Sequence, residues 1–76
     1  MDVTIRMHGT LRLLTETPDG TIDVSLTEAA TAATALEACG ASDEAYLLAL
    51  DGCVVRASTP LYDRCILDVF PPLEGG

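Results

Sequence analysis

Cys65-Ile66-Leu67-Asp68-Val69-Phe70-Pro71-Pro72-Leu73-Glu74-Gly75-Gly76 is the stretch whose reading decides the fold. Its first half is a strand pattern. Cys65, Leu67 and Val69 fall on one face, and Ile66, Asp68 and Phe70 on the other, because side chains alternate along extended backbone. An aspartate among apolar residues is expected to face water, so the core takes the Cys65-Leu67-Val69 side. The second half cannot prolong the strand. Pro71 and Pro72 have no N–H to give a ladder and hold the backbone extended. Gly75 and Gly76 carry no side chain and widen the choice of backbone angles. The reading is therefore a strand that ends at Phe70 and a thin leash, 71–76, that presents a terminal carboxyl group.

Outward from this stretch, the remaining elements follow from periodicity and turn chemistry. Val3, Ile5 and Met7 alternate with Thr4, Arg6 and His8 as a first strand, which Gly9 ends. Leu11 to Glu16 reads as a short helical turn or irregular loop with Leu11 and Leu14 tucked in. Pro18-Asp19-Gly20 is a turn, and Ile22, Val24 and Leu26 make a second strand that returns beside the first. Thr27 or Ser25 opens a helix, with Glu28 at the positive end of its dipole. Ala29, Ala32, Ala33, Leu36 and Cys39 line its buried side, and Gly40 stops it after about 12 residues. That side is mostly alanine, so the helix must sit close to the sheet. Tyr46 to Leu50 and Cys53 to Arg56 form a hairpin about Asp51-Gly52, a strong two-residue turn. Ala57 to Arg64 reads as a loop or a single helical turn.

The order is strand, strand, helix, strand, short strand, final strand. A helix carried between hairpins and covering one sheet face is an α+β arrangement. Its natural closure lays the last strand parallel to the first in the middle of a mixed sheet of four to five strands. This is the β-grasp roll, with 1–70 as its single domain. The uncovered face then carries Ile66 and Phe70 beside Arg6 and His8, an apolar pair rimmed by charge and suited to docking.

Composition narrows the function. A chain of 76 residues holds one thin core and hardly a substrate pocket as well, which points to a carrier or binding module and away from a self-contained enzyme. Twelve acidic residues against four arginines, a net charge of −8, exclude a nucleic-acid or anionic-membrane surface and favour a basic partner. A solubility charge or adaptation to high salt accounts for the same acidity. Cys39, Cys53 and Cys65 are too few and too widely spaced for a disulfide framework or a zinc site, and are expected to be small buried hydrophobes. No metal ligand set is present. Neither an export signal nor an apolar run long enough to span a bilayer is visible, so the expected location is the cytoplasm. His8 has no nucleophile at motif spacing.

At this point the chain resembles a family. The length, the element order and the end Val69-Phe70-Pro71-Pro72-Leu73-Glu74-Gly75-Gly76 are similar to the small subunit of molybdopterin synthase and the thiamine sulfur carrier, which are ubiquitin-like proteins. Leu11-Arg12-Leu13-Leu14 resembles the family's arginine-containing turn, and Leu48-Ala49-Leu50-Asp51-Gly52 its third-strand hairpin. Leu61-Tyr62-Asp63 sits where the family approaches a Gly-Asp pair, but here Arg64-Cys65 replaces that pair and the turn departs from the pattern. The Phe-Pro-Pro-x-x-Gly-Gly tail looks more like the molybdopterin type than the thiamine type.

The resemblance implies a sulfur carrier. A ubiquitin-activating-type adenylyltransferase would consume ATP to adenylate Gly76, and a persulfide would convert it to a thiocarboxylate. The sulfur would go to a cofactor precursor, molybdopterin in the first place, with thiamine thiazole or another metabolite as alternatives. The chain itself would bind no cofactor and supply no catalytic group; it would be the small subunit beside a large synthase subunit, in a heterotetramer. Gly76 is then the reacting end and Gly75 a bare backbone for a narrow slot, or a mere spacer. Phe70, Pro71, Pro72, Leu73, Ile66 and Arg12 are the expected partner contacts, Phe70 being either an anchor or a core-edge residue and Arg12 either an ion-pair partner or simply solvated. A ubiquitin-like modifier joined to target lysines through Gly76 is the competing reading.

Overall fold

The computed structural model of the chain describes residues 1–14, 19–41 and 46–71, the side chains of 12–14 excepted. The alternation in the first segment produces strand β1 (Asp2–Met7), with Val3, Ile5 and Met7 each at most 1% exposed. A 3-10 helix, Gly9–Leu14, follows and buries Leu11. Strand β2 (Thr21–Ser25) returns antiparallel to β1, with Val3 opposite Val24 and Ile5 opposite Ile22. The hairpin β3 (Leu47–Leu50) and β4 (Cys53–Val55) turns at Asp51-Gly52 with φ of 48° and 88°, the paired positive angles that a tight two-residue turn requires. Strand β5 (Ile66–Phe70) lies between the two hairpins, parallel to β1 and antiparallel to β3. The five-stranded order is β2-β1-β5-β3-β4.

Helix α1 (Ala32–Ala38) covers one face. Ala32, Ala35 and Leu36 join Val3, Ile5, Met7, Leu48, Leu67 and Val69 in one core. The helix is shorter than its periodicity suggests and starts later. Thr27 to Ala30 form a turn, in which the Ala30 N–H donates to the Thr27 carbonyl at 3.1 Å. The start is set from a distance: the Ala32 and Ala33 N–H groups donate to the carbonyls of Thr59 and Ala57 at 3.0 and 2.9 Å, and Thr31 bridges Pro60. Ala29 is consequently exposed and Ala33 only half-buried. The far end follows expectation. Gly40 adopts φ 76°, its N–H donates to Glu37 O at 3.1 Å, and the Ala41 N–H reaches Leu36 O at 2.9 Å, which satisfies two carbonyls of the last turn.

The stretch 57–65 is a loop stitched to the start of β1. Arg64 N–H donates to Asp2 O, Asp2 N–H to the Asp63 carboxylate, and Thr4 N–H to Cys65 O. The Arg64-Cys65 departure has a visible cost. Arg64 sits at φ 66°, in the left-handed region that a glycine enters freely, while its side chain is 90% exposed and reaches the neighbouring Asp63 carboxylate only at 3.9 Å.

Candidate functional site

The candidate site is the sheet face that α1 leaves open, and register decides who shares it. Parallel pairing sets Arg6 beside Asp68 and Thr4 beside Ile66, and carries His8 alongside Phe70. Antiparallel pairing sets Leu47 opposite Phe70, Ala49 opposite Asp68, and Val54 opposite Ala49. The face divides accordingly. Toward β3 and β4 it is apolar, with Leu47 and Val54 48% and 72% exposed beside a half-buried Phe70. Toward β2 it is polar: Asp2, Thr4, Asp23, Ser25 and Arg64 line a groove of about 440 Å³ together with Val24 and Ile66.

Asp68 stands between the halves and corrects the sequence reading. It is on the open face as expected, but it does not face water; it is 8% exposed, because Arg6 and His8 close over it. Arg6 grips it with two donors, Nε to Oδ1 at 2.8 Å and Nη2 to Oδ2 at 3.2 Å, and His8 Nε2 lies 2.8 Å from Oδ1. With the carboxylate ionised, His8 Nε2 is the donor. Burial alone would push the Asp68 carboxyl up; the hydrogen bonds and charges of Arg6 and His8 outweigh it and hold the carboxyl below its ordinary value. The same hydrogen bond and charge raise the Arg6 guanidinium further.

Of the expected contacts, Ile66, Phe70 and Pro71 are described. Ile66 and Phe70 do share the open face, but they lie at opposite ends of β5, about 13 Å apart at strand rise, with Asp68 between them. They are two sites, not one apolar pair. Leu47 and Val54, which enlarge the Phe70 end, went unread, although the alternation of Leu47 and Ala49 against the buried Leu48 was a signal. Pro72, Leu73, Gly75, Gly76 and the Arg12 side chain lie outside the described residues.

The cysteines split. Cys65 is buried and Cys39 half-buried, as small hydrophobes should be, but Cys53 is exposed at the β3–β4 turn. Burial pushes both the Cys39 and Cys65 thiols up, and Asp51 and Asp63 raise Cys65 further, so these two stay protonated and poorly nucleophilic.

A parallel pair of first and last strands at the centre of a mixed sheet, with one helix across one face, is the ubiquitin-like β-grasp fold. Solved structures carry the likeness over the full chain. SAMP1 from Haloferax volcanii, a small archaeal modifier protein, is 19% identical with a TM-score of 0.78, covering 100% of both chains. A protein assigned as molybdopterin converting factor, subunit 1, from Pyrococcus furiosus is 19% identical with a TM-score of 0.76, covering 96% of this chain and 99% of the other. A complex of subunits 1 and 2 of the molybdopterin-converting factor from Helicobacter pylori matches with 20% identity, a TM-score of 0.61 and 100% coverage of both chains. No protein-family model and no curated protein sequence matches.

Proposed function

We propose that this protein is a ubiquitin-like sulfur carrier whose working group is the carboxylate of Gly76. The observation that supports this best is the fold itself: the central strand β5 runs directly into the Pro-Pro-x-x-Gly-Gly segment, in a body matched end to end by molybdopterin-converting-factor subunits. In the proposed cycle a Gly76 carboxylate oxygen attacks the α-phosphorus of ATP on an activating enzyme. An acyl–phosphate bond forms and pyrophosphate leaves. A partner's persulfide sulfur then attacks the acyl carbon and AMP departs. A thiol cleaves the resulting acyl disulfide, taking the outer half of the S–S bond and leaving Gly76 as a thiocarboxylate. That sulfur is the nucleophile handed to a cofactor precursor, molybdopterin first among them. The open face would dock the partners, with Phe70, Leu47 and Val54 as its apolar end. A large synthase subunit is the natural partner, since the Helicobacter pylori likeness is to a complex of subunits 1 and 2.

The test is intact mass after incubation with an activating enzyme, ATP and a sulfur source. Exchange of one terminal oxygen for sulfur is expected, and an unchanged mass refutes carriage. Adding one residue after Gly76 should abolish the exchange. A second reading, conjugation to target lysines, draws on the likeness to a modifier protein. Its signature is a remnant of this tail on lysines of other proteins.

A further inference from the structure

Four consecutive residues at the end of the last strand are each held by the same two-residue corner. His8 Nε2 bonds Asp68 at 2.8 Å, and the His8 backbone N–H donates to the Val69 carbonyl at 3.0 Å, one residue past the end of β1. The His8 ring stacks on Phe70 with centroids 4.4 Å apart and planes 11° from parallel. Gly9, at φ 59°, backs onto Pro71 so closely that a Cβ there would lie 3.1 Å from the proline Cγ. A strand end is ordinarily free to fray. Here side chain, backbone and van der Waals contact all come from one place, and Pro71 is the last residue before the segment that leads to Gly76.

We propose that the His8-Gly9 corner is a positioning clamp that fixes the direction in which the chain leaves the sheet at Pro71 before a partner binds. The inference rests on the carrier reading for its purpose. His8 and Gly9 are proposed as positioning residues: they act on the strand end and not on the reacting carboxyl. The advantage is preorganisation, because a segment that starts from a fixed point and direction loses less freedom on threading a slot than one that starts from a frayed end.

The ring stack is the separable part. His8→Ala removes ring and imidazole, His8→Gln keeps a polar donor without the ring, and His8→Phe keeps the ring without the bond to Asp68. Two measurements are made on each. One is residual dipolar couplings and heteronuclear NOEs of the Phe70, Leu73 and Glu74 amides in the free protein. The other is KM and kcat of the activating enzyme for the protein, from pyrophosphate exchange. An aromatic pair of this kind corresponds to a change of about 2–10-fold in an equilibrium. We expect His8→Ala and His8→Gln to raise KM by about that factor with kcat held, and to average the couplings toward zero. His8→Phe should restore both. Wild-type couplings and KM in His8→Ala, or failure of His8→Phe to restore either, would overturn the clamp. If the wild type supports no exchange at all, the carrier reading falls, and the couplings still decide whether the corner orders the exit.

Discussion

The two faces of the sheet are built on different rules. The face beneath α1 is uniformly apolar, and its members, Val3, Ile5, Met7, Leu67 and Val69, are buried without a polar atom to satisfy. The open face mixes an apolar end, an ion cluster and a polar groove within a few strands. The first face is fixed by alternation alone, and any sequence with that period specifies it. The second depends on which residues register places side by side, and there a charged residue is buried by its partners while leucine and valine stand in water. Stability resides in the first face, and the recognition proposed above would fall to the second.

The sharpest break between them is expected from Leu67→Ala. Leu67 is fully buried on the central strand, and truncation should cost about 2–5 kcal/mol. A core in a domain this small rarely supplies more than about 3–5 kcal/mol, so denaturant titration should find the variant largely unfolded. Retention of wild-type stability would contradict the packing described. A gain is expected from Arg64→Gly. Relief of the left-handed backbone, less the extra freedom of glycine in the unfolded chain, should raise stability by about 0.5–1 kcal/mol. A loss would mean that the Arg64 side chain contributes more than its exposure shows.

The buried carboxylate makes the open face respond to acid. The Asp68 carboxyl is held lower in the folded state than the unfolded value of about 3.9, so the folded state binds its proton later than the unfolded state. Its contribution is complete above about pH 5 and drains away as pH falls through the unfolded value toward the depressed folded one. Unfolding free energies measured down that range should fall more steeply in the wild type than in Asp68→Asn. Equal slopes would place Asp68 in water after all. The smallest stability effect is expected from Val54→Ser, within about 0.5 kcal/mol at an exposed position. Binding of a large synthase subunit, the partner proposed above, read by calorimetry, should nonetheless weaken, and an unchanged affinity would remove Val54 from the proposed docking surface.

How legible each part was in the sequence follows from the range of the forces involved. Asp51-Gly52 and Gly40 were readable because glycine and a short polar residue accept positive φ, a property of one or two residues. The β-grasp order was readable because strand and helix periods differ. The start of α1 was not, because carbonyls of residues 57 and 59 claim its first N–H groups across more than twenty positions of sequence. Asp68 was misread for a related reason. A lone aspartate in an apolar strand points to water unless two donors arrive from another strand, and only the parallel register of β1 supplies them. Cys53 was misread because a thiol's liking for the core is weaker than the geometry of the turn beside which it sits. The terminal glycines, on which the function is proposed, were legible only as chemistry and through family resemblance.

The position of β5 also governs when this molecule can exist. The strand pairing that joins the β2-β1 ribbon to the β3-β4 ribbon passes through it, and it follows the other four strands in the sequence. Before it emerges the nascent chain holds two separate ribbons, each of a size that is marginal at best in water. A chain broken off before Ile66 therefore has no continuous sheet. Any carboxyl group at such a broken end would hang from an incompletely folded polypeptide. On the carrier reading proposed above, completion of the body would thus act as a licence for the Gly76 end.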